Sequence, residues 1–149
     1  MTTETVTQRL EPEEAAEQLF AAHAQDGVWL DRFTESLAGR RAGASLARTI
    51  DAWDLSQADA GRLFHVSRQA FGKWLRYGAP AERAAAVADL AAATDLLVRH
   101  LKRDRIPAVV RRPIPALDGV SLMDLLDRGE TRELLAACRG MFRFDRVQG

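Results

Sequence analysis

Cysteine is almost missing from this chain: Cys138 stands alone among 149 residues. No internal disulfide is possible, which is compatible with a reducing compartment. Histidine occurs three times, at His23, His65 and His100, far apart in sequence. With a single cysteine beside them, no zinc-ligand spacing exists. Neither a Gly-x-Ser-x-Gly elbow nor a Gly-Lys-Ser/Thr phosphate loop occurs, and Lys73 follows Gly72 only to be flanked by Trp74. Asp124, Asp127 and Glu130 are the nearest approach to a carboxylate cluster. At helical spacing on a short, solvated helix they read as surface charge. These absences point away from an enzyme, and toward no metal and no cofactor. No run approaches the roughly 20 apolar residues of a membrane span, and no apolar segment follows a basic one as in a secretory signal. The expected setting is the cytoplasm, without a membrane partner. Isoleucine and tyrosine are scarce and asparagine is absent, whereas alanine, leucine and arginine abound. That balance favours helices over sheets.

Net charge is zero as well, but unevenly so. Residues 1–31 hold seven acids against Arg9, a net −6, while residues 32–149 hold twenty bases against fourteen acids, a net +6. A basic body behind an acidic N-terminal segment suits a phosphate-binding protein better than the total does. The acids at Glu11–Glu17 equally suit the first turns of a helix, where they favour its dipole.

Periodicity and caps divide the chain into helices. Pro12 with Glu13 and Glu14 starts one that runs to about His23, and a second covers Val28–Ala38. Gly39-Arg40-Arg41-Ala42-Gly43 is expected to break it and act as a hinge. Ser45 is expected to cap the next helix, with Leu46, Ile50 and Trp53 on one side. Ser56 starts another, ending near Phe64. Ser67 caps the one after, which Gly78 and Pro80 stop after Tyr77. Ala81–Lys102 reads as one long alanine-rich helix. Pro107, Pro113 and Pro115 then predict an extended connector. Ser121–Arg128 and Thr131–Phe142 are the last two helices, separated by Gly129. The fold class expected is all-α. Its expected parts are an acidic helical extension over 1–43, a DNA-binding domain over 44–104 and a C-terminal domain over 105–149.

Within Leu55–Leu75 the spacing has a specific meaning. Two short helices crossing steeply need a very small residue where they touch, and Gly61 supplies it. His65 and Val66 occupy the turn. Ser67 caps the second helix, Phe71 and Trp74 face inward, and Arg68, Gln69, Gly72 and Lys73 face outward. Arginine pairs with guanine and glutamine with adenine in the major groove, and the N-terminal end of such a helix reaches base edges. Gln57, Arg76 and Lys73 are placed for phosphates, with Ser67 beside them. Residues 45–80 resemble the Xre/Cro-type helix-turn-helix family, down to Trp74, Gly78 and Pro80. The family more often has glycine where His65 stands and alanine where Gly61 stands.

Arg111–Glu130 resembles the toxin-binding domain of Xre/MbcA/ParS-type antitoxins in Arg112-Pro113, Leu117-Asp118-Gly119, Leu125-Leu126 and Gly129-Glu130. Asp118 replaces a glycine of that pattern, and Leu122 sits where proline is common. The resemblance covers about residues 45–142. It implies an antitoxin that neutralises a RES-domain, NAD-degrading toxin and represses its own operon. By position, the implied toxin-binding residues are Glu130, Arg139, Met141, Phe142, Arg143, Phe144 and Arg146. For Met141 and Phe142 the apolar stripe of the last helix argues instead for a place in the core. The alternative is a stand-alone regulator whose C-terminal half serves dimerisation. The basic run Arg99–Arg105, with Arg111 and Arg112, suits either a second DNA-backbone contact or a solvated helix end. One reading head contacts few base pairs, so a homodimer or higher oligomer on operator DNA is expected, with the Ala81–Lys102 helix and the C-terminal domain as its surfaces.

Overall fold

The computed structural model describes residues 9–143. Among them lie eight α-helices and no strand, only an isolated bridge between Ile114 and Val120. The helices are α1 (Pro12–His23), α2 (Gly27–Ala52), α3 (Gln57–Leu63), α4 (Arg68–Tyr77), α5 (Ala84–His100), α6 (Ile106–Arg111), α7 (Leu122–Asp127) and α8 (Thr131–Met141). None is long and apolar enough to cross a membrane. The chain divides into two compact units, with the boundary between Leu37 and Ala38.

In the first unit α1 starts at Pro12, whose missing N–H matters least in a first turn. The Asp26 carboxylate then accepts the Trp29 amide at 3.0 Å and opens α2. Trp29 stacks between His23 and Phe33, with centroid separations of 3.4 and 5.2 Å.

The expected break at Gly39–Gly43 does not occur: α2 continues through it, and Ser45 is interior rather than a cap. A Cβ on Gly43 would lie 2.3 Å from the Leu75 carbonyl oxygen, and one on Gly39 2.3 Å from that of Tyr77. These glycines, one helical turn apart, make room for the backbone at the end of α4. Their role is close packing, not flexibility, and the helix absorbs their poor propensity.

The second unit shares one core across the boundary expected at 104/105. Leu46, Ile50 and Trp53 of α2 and its end pack with Phe64, Phe71 and Trp74, with Leu90 and Leu97 of α5, and with Leu134 and Cys138 of α8. The Trp53 indole donates to Thr94 Oγ1 at 2.9 Å, and that hydroxyl donates to the Leu90 carbonyl at 2.8 Å, so the buried polar atoms are paired. Two boundaries differ from expectation. Ala81–Arg83 forms a 3-10 turn before α5. Pro107 sits in the first turn of α6 rather than in an extended connector, because a helix start needs no N–H there. Between Pro107 and Pro115, extended backbone is found at Arg112 and Ile114.

One bond pattern closes four helical segments. The residue after the turn bonds back five positions and the one before it three: Leu55 to Ile50 with Asp54 to Asp51, Val66 to Gly61 with His65 to Arg62, Gly119 to Ile114 with Asp118 to Pro115, and Glu130 to Leu125 with Gly129 to Leu126. This is the Schellman closure, which requires a left-handed residue. Asp54, His65, Asp118 and Gly129 provide it, with φ of 55°, 57°, 56° and 72°.

Candidate nucleic-acid interface

α3 and α4 are each built by a serine and joined by a left-handed turn. Ser56 Oγ accepts the Asp59 amide and Ser67 Oγ accepts the Ala70 amide, both at 3.0 Å. His65 takes the turn with positive φ, as expected, where the resembling family more often has glycine. Gly61 is buried at the crossing: a Cβ there would lie 3.0 Å from the Val66 carbonyl and 3.3 Å from that of Ser67. Beneath the pair, Phe64, Phe71 and Trp74 form a triangle with centroids 5.6 to 5.7 Å apart. The Arg83 guanidinium lies 5.8 Å over the Trp74 ring. Three aromatic rings in mutual contact hold α4 by its inner face.

The outer face of α4 carries the charge. At about 100° per residue, Arg68, Gln69, Gly72, Lys73 and Arg76 share one arc opposite Phe71 and Trp74. Ser67, Arg68, Gln69, Lys73 and Arg76 are exposed. Arg68, Lys73 and Arg76 form no ion pair among the described residues, which leaves three cations uncommitted on one helix.

Gly72 and Gln57 differ from the outward set expected of them. Gln57 Nε2 donates to the Arg68 carbonyl at 2.9 Å. A Cβ on Gly72 would lie 2.6 Å from that nitrogen, so the amide covers Gly72, and both residues are half-buried. Gln57 thus bridges α3 to α4, and Gly72 is the gap that lets it do so. Arg62 is an exposed cation that the sequence did not single out, but its guanidinium is paired with the Asp59 carboxylate. The Ser56 hydroxyl, then Arg62, hold Asp59 below the usual carboxylate range. A carboxylate at the start of α3 disfavours an anion there.

The turn also touches the C-terminal helices. His65 Nε2 lies 2.6 Å from the Asp127 carbonyl oxygen and therefore donates to it, with the Asp127 carboxylate 3.7 Å away. A shallow cleft of about 310 Å³ lies alongside, lined by Leu55, Leu63 and Met123 and by four charged side chains. Two of these, Asp59 and Arg62, pair with each other. A third, Arg111, donates to the carbonyls of Trp53, Asp54 and Pro107 at 3.0, 3.2 and 2.8 Å and so finishes the C-terminus of α2. The basic run is thus partly structural. Arg103 pairs with Asp51, while Arg99, Lys102, Arg105 and Arg112 remain exposed.

The residues implied by the C-terminal resemblance separate into groups. Glu130, Arg139 and Arg143 are exposed. Met141 and Phe142 are half-buried against the core, and Phe142 stacks on His100 with centroids 4.3 Å apart, which favours their place in the core. Phe144 and Arg146 lie outside the described residues. Asp124 serves its own helix, accepting the Ser121 amide at 2.9 Å. Burial pushes the Cys138 thiol up to about 12, so it is no thiolate nucleophile near neutral pH. Among the described residues no three histidine, cysteine, aspartate or glutamate side chains gather into a metal-binding group.

Comparison with protein-family models, with curated proteins and with solved structures returns no match for this chain.

Proposed function

We propose that this chain is a DNA-binding regulator that reads operator DNA with α4. The observation that carries this is the outer arc of that helix: Arg68, Gln69, Lys73 and Arg76 stand exposed while three aromatic rings hold the opposite face. Arg68 and Gln69 occupy the first turn, where base edges are reached, and both have two-pronged hydrogen-bonding ends that match guanine and adenine. Lys73 and Arg76 contact phosphates and set the register. Gln57 and Gly72 act by fixing α4 against α3, and Ser67 by capping it.

The test is binding to a preferred duplex selected from a randomised pool, against random DNA, by fluorescence anisotropy across a salt series. Arg68→Ala with Gln69→Ala is expected to lose about 1–3 kcal/mol of preference per contact on the selected site and far less on random DNA. Lys73→Ala is expected to weaken both equally and to flatten the salt dependence by roughly one unit of slope. An equal loss on both duplexes from the first variant would contradict base reading by these residues.

Within that reading the chain acts in the cytoplasm as the antitoxin of a RES-type, NAD-degrading toxin, repressing its own operon as a homo-oligomer. The support is the resemblance over Arg111–Glu130, together with exposed Glu130, Arg139 and Arg143 at the two ends of α8. Capture of the full chain from its native cells is expected to bring down a stoichiometric NAD-consuming protein. The second reading, a regulator acting without a toxin, draws on the shared core: α8 is built into the same packing as the reading head, and Met141 and Phe142 belong to it. Recovery of the protein with promoter DNA alone would select it.

A further inference from the structure

Positive charge is not confined to the outer arc of α4. Where α2 passes the end of that helix, Arg40, Ala44, Leu75, Arg76 and Tyr77 line an open cleft of about 480 Å³. Two glycines one helical turn apart on α2 bring the helices together there. A Cβ on Gly39 would lie 2.3 Å from the Tyr77 carbonyl oxygen, and one on Gly43 2.3 Å from that of Leu75. The close approach that they permit carries Arg40 of α2 to the same cleft as Arg76 of α4.

Two cations brought to one cleft repel each other, and no acid of the protein answers them. Arg40, Arg76 and Tyr77 are exposed, and neither arginine forms an ion pair among the described residues. No acidic residue stands three or four positions from either along its helix, the spacing at which a side chain reaches a neighbour. Arg62, Arg103 and Arg111 are different, because their guanidiniums are committed to Asp59, to Asp51 and to three carbonyls. Arg40 donates no hydrogen bond to the carbonyls that end α4, so it does not finish that helix as Arg111 finishes α2. The roughly half negative charge of a helix C-terminus offsets only part of two full cations. The cleft therefore suits an anion from outside the chain.

We propose that this cleft clamps a phosphodiester of the DNA that α4 reads, Arg40 and Arg76 pairing its oxygens and the Tyr77 hydroxyl donating to one of them. Guanidinium groups match phosphate oxygens in pairs. Arg76 belongs both to the cleft and to the outer arc of α4, so the two surfaces are continuous. It lies about 12 Å along the helix from Arg68, so the clamped phosphate flanks the bases read. Ala44 and Leu75 offer apolar contact to the sugar carbons beside that phosphate. The open side of the cleft suits a strand running through it better than a small anion that must be enclosed. α2 is thereby a second DNA-contacting element, held at its distance from α4 by Gly39 and Gly43. All of this rests on α4 being the helix that enters the groove.

The experiment is fluorescence anisotropy of the full chain on the selected duplex and on random DNA across a salt series, comparing Arg40→Ala with Arg41→Ala. Arg41 is exposed and adjacent but does not line the cleft, so it reports what the loss of a nearby charge does by itself. Loss of the Arg40 contact is expected to remove about 0.9 from the slope of log affinity against log salt, so the advantage of wild type shrinks about 3.5-fold between about 50 and 200 mM. The loss is expected to be equal on both duplexes, because a phosphate carries no sequence. Arg41→Ala is expected to change the slope by less than about half as much. Tyr77→Phe is expected to weaken binding about two- to tenfold with the slope kept, since a hydroxyl releases no counterion. Should Arg40→Ala lower the urea midpoint, Arg40→Gln keeps the stem and removes only the charge, and the same change in slope is required of it. A slope unchanged in the Arg40 variant, one shared with Arg41→Ala, or a Tyr77→Phe protein that binds as wild type overturns the clamp. Loss of base preference in Arg68→Ala with Gln69→Ala would then leave the reading by α4 standing. A wild type that binds neither duplex removes that reading and the clamp with it.

Discussion

Single residues decide this fold where backbone meets backbone. Gly43 and Gly140 are both helical glycines, yet their surroundings differ completely. A Cβ on Gly43 meets the Leu75 carbonyl at 2.3 Å, whereas nothing lies within 4 Å of one on Gly140. Gly43→Ala is therefore expected to destabilise by about 1–3 kcal/mol, because a carbonyl cannot move aside without shifting α4. Gly140→Ala is expected to stabilise by about 0.5–1 kcal/mol through helix propensity alone. Urea melts of the two variants check the pair, and equal effects would remove the close-approach account of α2. The left-handed positions carry a related lesson. Asp54, His65 and Asp118 accept a backbone geometry that glycine adopts freely. At His65 the same side chain that strains the turn also donates to the Asp127 carbonyl, which ties the α3–α4 turn to α7.

At the scale of elements, α3, α6 and α7 are too short to persist alone, since nucleation outweighs so few propagated bonds. Their ends hold them. α7 has only six residues, but Ser121 and Asp124 form a reciprocal capping box at its start and Gly129 closes the segment beyond its end. Ser121→Ala is expected to cost about 1 kcal/mol. The pH dependence follows from Asp124, whose carboxyl is held below the usual range first by the Ser121 amide and then by the Ser121 hydroxyl. A depressed folded pKa gives stability that is present above the unfolded value, about 3.9, and lost as pH falls through the folded one. The penalty of Asp124→Ala is accordingly expected to be full at neutral pH and to shrink below about pH 4. Melts at the two pH values measure this, and a penalty unchanged in acid would remove the cap as its cause.

For the whole molecule, the decisive fact is that the α3–α4 pair and the C-terminal helices do not have separate cores. Leu97, fully buried in α5, belongs to the same cluster as Phe71 and Leu134. Leu97→Ala is expected to cost about 2–5 kcal/mol. Hydrogen exchange should show α4 and α8 losing protection together. Loss confined to α8 would mean two independently folding parts. Residues 9–37, with nothing buried, are expected to exchange fastest.

Much of this was written in local sequence. Pro12, Ser56, Ser67 and Ser121 marked helix starts because a proline or a hydroxyl acts within one turn of itself. Gly61, His65, Phe71 and Trp74 marked the crossing, the turn and the inner face because their spacing is that of the helices themselves. Arg68, Gln69, Lys73 and Arg76 follow from the same period. What sequence could not decide was whether a glycine breaks a helix or lets another backbone approach it. Gly39 and Gly43 looked like a hinge, and only the carbonyls of Tyr77 and Leu75, more than thirty residues away, show them to be a contact. Arg111 suited either a DNA-backbone contact or a solvated helix end, until two carbonyls just beyond α2 and one from α6 surrounded it. Gln57 looked free until the gap at Gly72 received it. Helix caps and periods are local physics and can be read along the chain. Close approach and the pairing of charges depend on which distant atoms arrive, and that is settled only by the tertiary fold.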